Sequence, residues 1–187
     1  VAQTARKKES HGPAALISVA AMTPADRDRL LADIYAELRR AAARLLLREA
    51  PLLTLQPTEL VNEALIRVIG LDRMSFADRQ HLLATASRVL RQTMIDELRK
   101  RRAQKRQMPE MTVLLADLGR DVDLDRLGDI VDQLEQISPD YAQLVDLRFF
   151  VGFTLTETAA VLGVSEPTVK RRWQAARAWL ADAIDRG

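Results

Sequence analysis

The chain has 187 residues, with 28 Lys+Arg against 26 Asp+Glu, a formal charge of +2, no Cys and only His11 and His81 as histidines. Without Cys there is no disulfide framework, zinc–thiolate site, iron–sulfur cluster or thiol nucleophile, and two histidines are poor material for a multi-histidine metal site or a Ser-His-Asp scheme. Hydrophobic residues make up 48% and charged residues 29% of the chain, the composition of a soluble globular protein of one ordinary domain or two small ones.

No run of eighteen uncharged apolar residues is present, so no membrane span is expected. Residues 1–22 place Arg6-Lys7-Lys8 ahead of the apolar stretch Ala14–Ala21, the outline of a signal peptide. That stretch is Ala-rich and Pro13 interrupts its approach, which favours a disordered leader on a cytoplasmic protein.

Helical signals then dominate, and no convincing period-2 strand is found. Thr23-Pro24-Ala25-Asp26 reads as an N-cap, an early Pro and an acid at N3, opening a helix that Leu30, Ile34, Leu38, Ala41 and Leu45 carry to about Glu49. A second helix runs from about Pro57 to Ile69, with Leu60, Val61, Ala64, Leu65 and Val68 on one face. A third starts at Ser75-Phe76-Ala77-Asp78 and continues through Leu82, Ala86, Val89, Leu90 and Leu98 into a basic tail.

The small net charge conceals two opposed runs. Between 88 and 106 stand Arg88, Arg91, Arg99, Lys100, Arg101, Arg102, Lys105 and Arg106, against Asp96 and Glu97. Between 110 and 140 stand Glu110, Asp117, Asp121, Asp123, Asp125, Asp129, Asp132, Glu135 and Asp140, against Arg120 and Arg126. The Met108-Pro109 break, Gly119 and Gly128 fall in this acidic stretch, and residues 108–127 read as an acidic linker between two helical domains at 23–107 and 128–187. The basic run is either a solvated helix end or a surface that tracks phosphates. The acidic run is complementary to it and could cover it. Helices are expected at about 129–137, 139–149, 155–162 and 165–184, with Ser138-Pro139 and Ser165-Glu166-Pro167 as starts.

The most informative stretch is Leu155–Arg172, which fits a helix-turn-helix. Ala159 is the small residue where the two helices meet, Gly163 supplies the turn, Val164 and Val169 anchor the second helix and Ser165 caps it. That helix offers Ser165, Glu166, Thr168, Lys170, Arg171 and Arg172 for the base edges and phosphates of a major groove. Trp173 reads as a continuation of the Val169 core stripe toward Ala176 and Leu180, and Trp179 as packing on a neighbouring helix. Arg177 reads equally as a phosphate contact or a solvated helix end.

A three-helix domain ending in a basic helix, a short linker and a four-helix domain ending in a helix-turn-helix resemble a bacterial RNA polymerase sigma factor of the extracytoplasmic-function group. Asp140–Phe150 with the helix-turn-helix looks like conserved region four; Leu60–Arg67 and Ala84–Arg102 look like region two. The resemblance covers about 23–185 and implies an all-α protein of two small domains that directs core RNA polymerase to promoters. It implies no cofactor, no metal and no covalent chemistry. By resemblance, Glu59, Asn62, Glu63 and Arg67 dock on the polymerase β′ clamp helices. Arg88, Arg91, Gln92, Asp96, Arg99, Lys100 and Arg102 meet the −10 element, and Ser165, Glu166, Thr168, Lys170, Arg171 and Arg172 meet the −35 element. Core polymerase (β′ clamp helices and β flap) and promoter DNA are the implied partners, with a Ser/Thr kinase or an anti-sigma factor as candidate regulators.

The sequence departs from the family where members carry an acidic cluster before the Leu-Val-Gln-Glu stretch. Gln56-Pro57-Thr58-Glu59 keeps one carboxylate there. Phosphorylation of Thr58 would restore charge at a helix N-terminus, where it is best tolerated. Thr54 is the alternative acceptor, and a plain helix-flanking Thr58 the simpler reading. Between Phe76 and Arg106 the only aromatic residue is Phe76, where housekeeping sigma factors use several; the resemblance to the smaller group implies base capture by a loop near 70–75 as the melting device. Two further readings remain open: a helix-turn-helix regulator that never joins polymerase, and a helical adaptor that binds only proteins.

Overall fold

The computed structural model of the chain describes residues 23–49, 56–70, 79–104, 112–115 and 120–186. Among these residues the chain forms seven α-helices, one π-helical turn and one short hairpin: α1 (Pro24–Glu49), α2 (Pro57–Gly70), α3 (Arg79–Gln104), β1 (Thr112–Leu115), β2 (Arg120–Asp123), α4 (Leu124–Ile137), α5 (Pro139–Val145), the π turn Asp146–Phe150, α6 (Leu155–Leu162) and α7 (Glu166–Arg186).

Local chemistry sets most of the boundaries. At the start of α1, Thr23 Oγ1 accepts the Asp26 N–H at 3.2 Å and donates to the Asp26 carboxylate at 2.7 Å. At α2 the Glu59 carboxylate reaches back to the Gln56 N–H at 3.1 Å, satisfying a donor that the helix leaves open. Thr154 and Glu157 form a reciprocal capping box at α6. Gly163, at φ +64, ends that helix in the left-handed region that side chains avoid.

All-α architecture holds apart from the hairpin, which the sequence reading does not anticipate. β1 and β2 pair antiparallel, Thr112 opposite Asp123 and Leu115 opposite Arg120. Strands of four residues, one of them rich in acids, give too short an alternation to register as a period. Asp123 ends the hairpin and begins α4, its carboxylate accepting the N–H groups of Asp125 and Arg126. The helix expected near 129 therefore starts at Leu124. Gly128, a break signal in the sequence, lies inside it because α3 passes too close for a side chain: a Cβ there would lie 2.8 Å from Ile95 Cγ1.

One continuous core runs through the protein. Ile34, Leu38, Leu60, Leu90 and Leu98 of the N-terminal helices join Leu127, Val131, Val145 and Leu147 of the C-terminal ones. A smaller cluster of Leu144, Ala159 and Val169 holds the helix-turn-helix together, with Val164 and Trp173 packed against it. The π turn after α5 places Asp146 inward beneath α3, closed by the Val151 N–H to Asp146 C=O bond at 3.0 Å. Phe149 and Phe150 meet edge to face with ring centroids 5.0 Å apart.

Candidate nucleic-acid and partner-binding surfaces

Three faces gather the residues that sequence reasoning selects. The first is the outer side of α7. Val169, Ala176 and Leu180 are buried, so the stripe opposite is forced outward: Ser165, Glu166, Lys170 and Arg171 are exposed, and Thr168 and Arg172 half-buried. Ser165 Oγ and Thr168 Oγ1 lie 3.0 Å apart, and the Ser165 C=O accepts the Val169 N–H at 3.0 Å, tying the helix start together. Arg172 lies 3.5 Å from the exposed Asp140 carboxylate, a surface pair of little strength. Trp173 packs on the core with the Arg148 guanidinium 5.5 Å above its ring, and the Arg148 Nη1 donates to the Phe153 C=O. Both tryptophans are structural here. The exposed side of α7 carries hydrogen-bonding and cationic groups on a rigid helix, which is what reading a major groove requires.

The second face belongs to α3, and it divides. Arg88, Arg91, Arg99 and Arg102 fall on one stripe at helical spacing, and each pairs with acids of the C-terminal half. Arg88 meets Glu135 at 2.8 Å. Arg91 meets Asp146 at 2.6 Å, Asp132 at 2.5 Å and Glu135 at 3.3 Å. Arg99 meets Asp125 and Asp129, each at 2.5 Å, and Arg102 meets Asp123 at 2.5 Å and Asp125 at 3.2 Å. Arg91 is only 1% exposed, so the sequence expectation of an open DNA-facing arginine is not what this form presents. Burial opposes the charge of the guanidinium, but Asp146 and Asp132 outweigh it and hold the pKa above the ordinary value. Asp146 is buried too, and there burial outweighs the attraction of Arg91, pushing its carboxyl up to about 6.

Gln92 is half-buried, whereas Asp96 and Lys100 are exposed and point the other way, toward α2. They help to line the third face, a groove of about 330 Å³ between α2 and α3 that also includes Glu59, Glu63, Arg67 and Arg101. Arg67 bridges the groove, donating to Asp96 at 2.6 Å and to Glu63 at 3.3 Å. Its bond to Asp96, which outweighs desolvation, holds its pKa above the ordinary value. Glu59, Asn62, Glu63 and Arg67 are all exposed along α2, as are Ile66 and Ile69 beside them. Thr58 is exposed in the first turn of α2. Thr54, Lys105, Arg106, most of the loop near 70–75 and the leader lie outside the described residues.

What sequence reasoning misses is the identity of the arginines' partners. Asp125, Asp129, Asp132 and Glu135 recur at i, i+4, i+7 and i+10, one face of α4, and that spacing was available in the sequence. Asp146 carried no such signal. Among the described residues, no group of three or more His, Asp or Glu could hold a metal ion, and no helix is long and apolar enough to cross a membrane.

Comparison with known proteins follows the same direction. A family model described as ECF sigma factor matches residues 15–186. A search of curated proteins finds no match. Among solved structures, a chain from the co-crystal structure of the sigma factor RpoE in complex with the anti-sigma factor NepR from Bartonella quintana is similar, at 20% identity and a TM-score of 0.39, over 86% of this chain and 97% of that one.

Proposed function

The chain belongs to the ECF sigma factor family, and from that premise we propose that it binds core RNA polymerase in the cytoplasm and directs it to a specific set of promoters. Residues 128–187 serve as the −35 reader, 23–107 as the polymerase-docking and −10 unit, and 108–127 as the connection between them. The observation that carries this reading is the outer face of α7, where Lys170 and Arg171 stand exposed on a helix-turn-helix whose turn and core are fully formed. Their charge supplies phosphate affinity, and Ser165, Glu166 and Thr168 supply the hydrogen-bonding groups that can distinguish base pairs.

On α2, Glu59, Asn62, Glu63 and Arg67 are the residues proposed to meet the polymerase clamp helices. With Glu59 the sole acid in the first turn, that face is weakly anionic. A phosphate on Thr58 would add about −1.5 to −2 charges there, next to the open N–H groups of the helix start. We assign Thr58 phosphorylation by a Ser/Thr kinase as the step that completes this docking face.

Run-off transcription with purified core polymerase tests the reading. A promoter-specific transcript above core alone is expected, and it should be lost with Arg171→Ala plus Arg172→Ala. DNA binding without co-purification of polymerase would instead indicate a regulator that acts alone. For the switch, Thr58→Ala should bind core polymerase more weakly than wild type in cells. Equal binding and equal promoter activity would sink that part of the proposal.

A further inference from the structure

A second cavity, of about 180 Å³, lies where α3, α4, α5 and the π turn meet, apart from the groove between α2 and α3. Its polar lining comes from His81, Thr85 and Arg88 of α3, Glu135 of α4, Gln143 of α5 and Asp146 of the π turn, and two alanines and a proline complete it. Exposure falls with depth. His81 and Arg88 stand exposed, Thr85, Glu135 and Gln143 are half-buried, and Asp146 is 2% exposed. Such a lining does not make a dry apolar void; its donors and acceptors require water or a polar ligand. Thr85 and Gln143 make no side-chain hydrogen bond among the described residues, so their bonding capacity is open to whatever fills the cavity.

Charge specifies the ligand. Arg88 pairs with Glu135, and Arg91 with Asp132, Glu135 and Asp146, so three carboxylates share two guanidinium groups. On an open surface, water and counter-ions would offset this excess. Here Asp132 is partly open, but Glu135 is largely enclosed and Asp146 is cut off from solvent, so the excess negative charge lies on the cavity side. Burial pushes the Asp146 carboxyl up to about 6, and the neighbouring Glu135 charge acts in the same direction, as expected of a buried carboxylate short of counter-charge. The volume lies below the roughly 300–1,000 Å³ of pockets for drug-sized ligands, which selects a molecule of few heavy atoms.

We propose that this cavity is a binding site for a small primary amine, whose ammonium group supplies the third positive charge against Asp146 and Glu135. The Gln143 amide oxygen and the Thr85 hydroxyl accept from the same ammonium, and the two alanines and the proline offer apolar surface to a methylene stem. An outer polar end of the ligand meets Arg88 and His81 at the rim. The inference stands apart from the sigma-factor reading, since binding needs neither polymerase nor DNA.

Titration of the full-length chain with butylamine, followed by backbone amide chemical shifts, tests the site. The shifts should saturate and centre on residues 81–88 and 135–146, and the melting temperature should rise with butylamine concentration. Butanol and butyrate, uncharged and anionic molecules of the same chain length, should do neither. Asp146→Asn should weaken butylamine binding by about tenfold or more. Gln143→Leu keeps every buried charge and gives a second reading, an affinity lower by roughly threefold. Asp129→Asn removes an equal charge outside the cavity, at the Arg99 pair, and should leave the affinity unchanged. Butanol binding as well as butylamine, wild-type affinity in both cavity variants, or shifts spread over the acidic surface at large would overturn the site. N-acetyl-lysine amide carries the same ammonium on a peptide unit; tighter binding of this compound than of butylamine would overturn a free amine as the ligand and assign the cavity to a partner's lysine.

Discussion

Replacing Arg91 by Leu should be the most damaging single change in the interior. The guanidinium is 1% exposed and neutralises Asp146, itself 2% exposed, with Glu135 also largely enclosed. Removing it leaves a buried carboxylate without a counter-charge, a loss of about 3–5 kcal/mol. The partner should behave differently. Asp146→Asn keeps a polar group of the same shape, and Arg91 retains Asp132 at 2.5 Å and Glu135 at 3.3 Å. Because burial already pushes the Asp146 carboxyl up to about 6, losing its charge should cost less than ~1 kcal/mol at pH 7. The double variant Arg91→Leu plus Asp146→Leu should recover most of the loss, since neither charge then needs solvation. Urea unfolding followed by far-UV circular dichroism measures all three. If Arg91→Leu costs no more than Asp146→Asn, or the double variant is as unstable as Arg91→Leu, the buried pair does not organise this interface.

Other consequences follow from named contacts. The folded pKa of Asp146 stands above its ordinary value of 3.8, so the folded chain binds that proton more tightly than the unfolded one, and its contribution to stability grows as pH falls from about 6 toward 4. Asp123 and Glu157 act in the opposite sense at lower pH. Burial raises the Asp123 pKa, but Arg102 and the N–H groups of α4 outweigh it, while Thr154 donors hold Glu157 down; both lose their stabilising effect as pH falls through and below the ordinary carboxylate range. Stability measured from pH 7 to pH 4 should therefore show a rise in wild type relative to Asp146→Asn, and an unchanged difference between the two would refute the assignment. Thr154→Ala removes half of the α6 capping box and should destabilise the chain by about 1 kcal/mol in thermal melts. Gly163→Ala meets no neighbouring atom but forces a side chain into the left-handed region at φ +64, with a loss of roughly 1 kcal/mol.

The start of α1 was legible because Thr23 accepts the Asp26 N–H of the first turn, a bond local in sequence. The helix-turn-helix was legible for the same reason: Ala159, Gly163 and Val169 meet within one short stretch. What the sequence obscured was long-range. Arg91 reads as a surface cation, as most arginines are, and its partners stand far along the chain at Asp132, Glu135 and Asp146. Gly128 reads as a break because glycine usually marks one, whereas its role depends on Ile95 of another helix. The opposed charge runs were visible, and their complementarity with them, but not that a helix rather than a tether brings them together.

Transcription-start mapping on genomic DNA, with core polymerase alone and with core polymerase plus this protein, tests the central claim most directly. A set of start sites sharing −35 and −10 sequences should appear only when the protein is present, and should vanish with Arg171→Ala plus Arg172→Ala. Start sites identical to those of core polymerase alone would contradict a role in promoter selection.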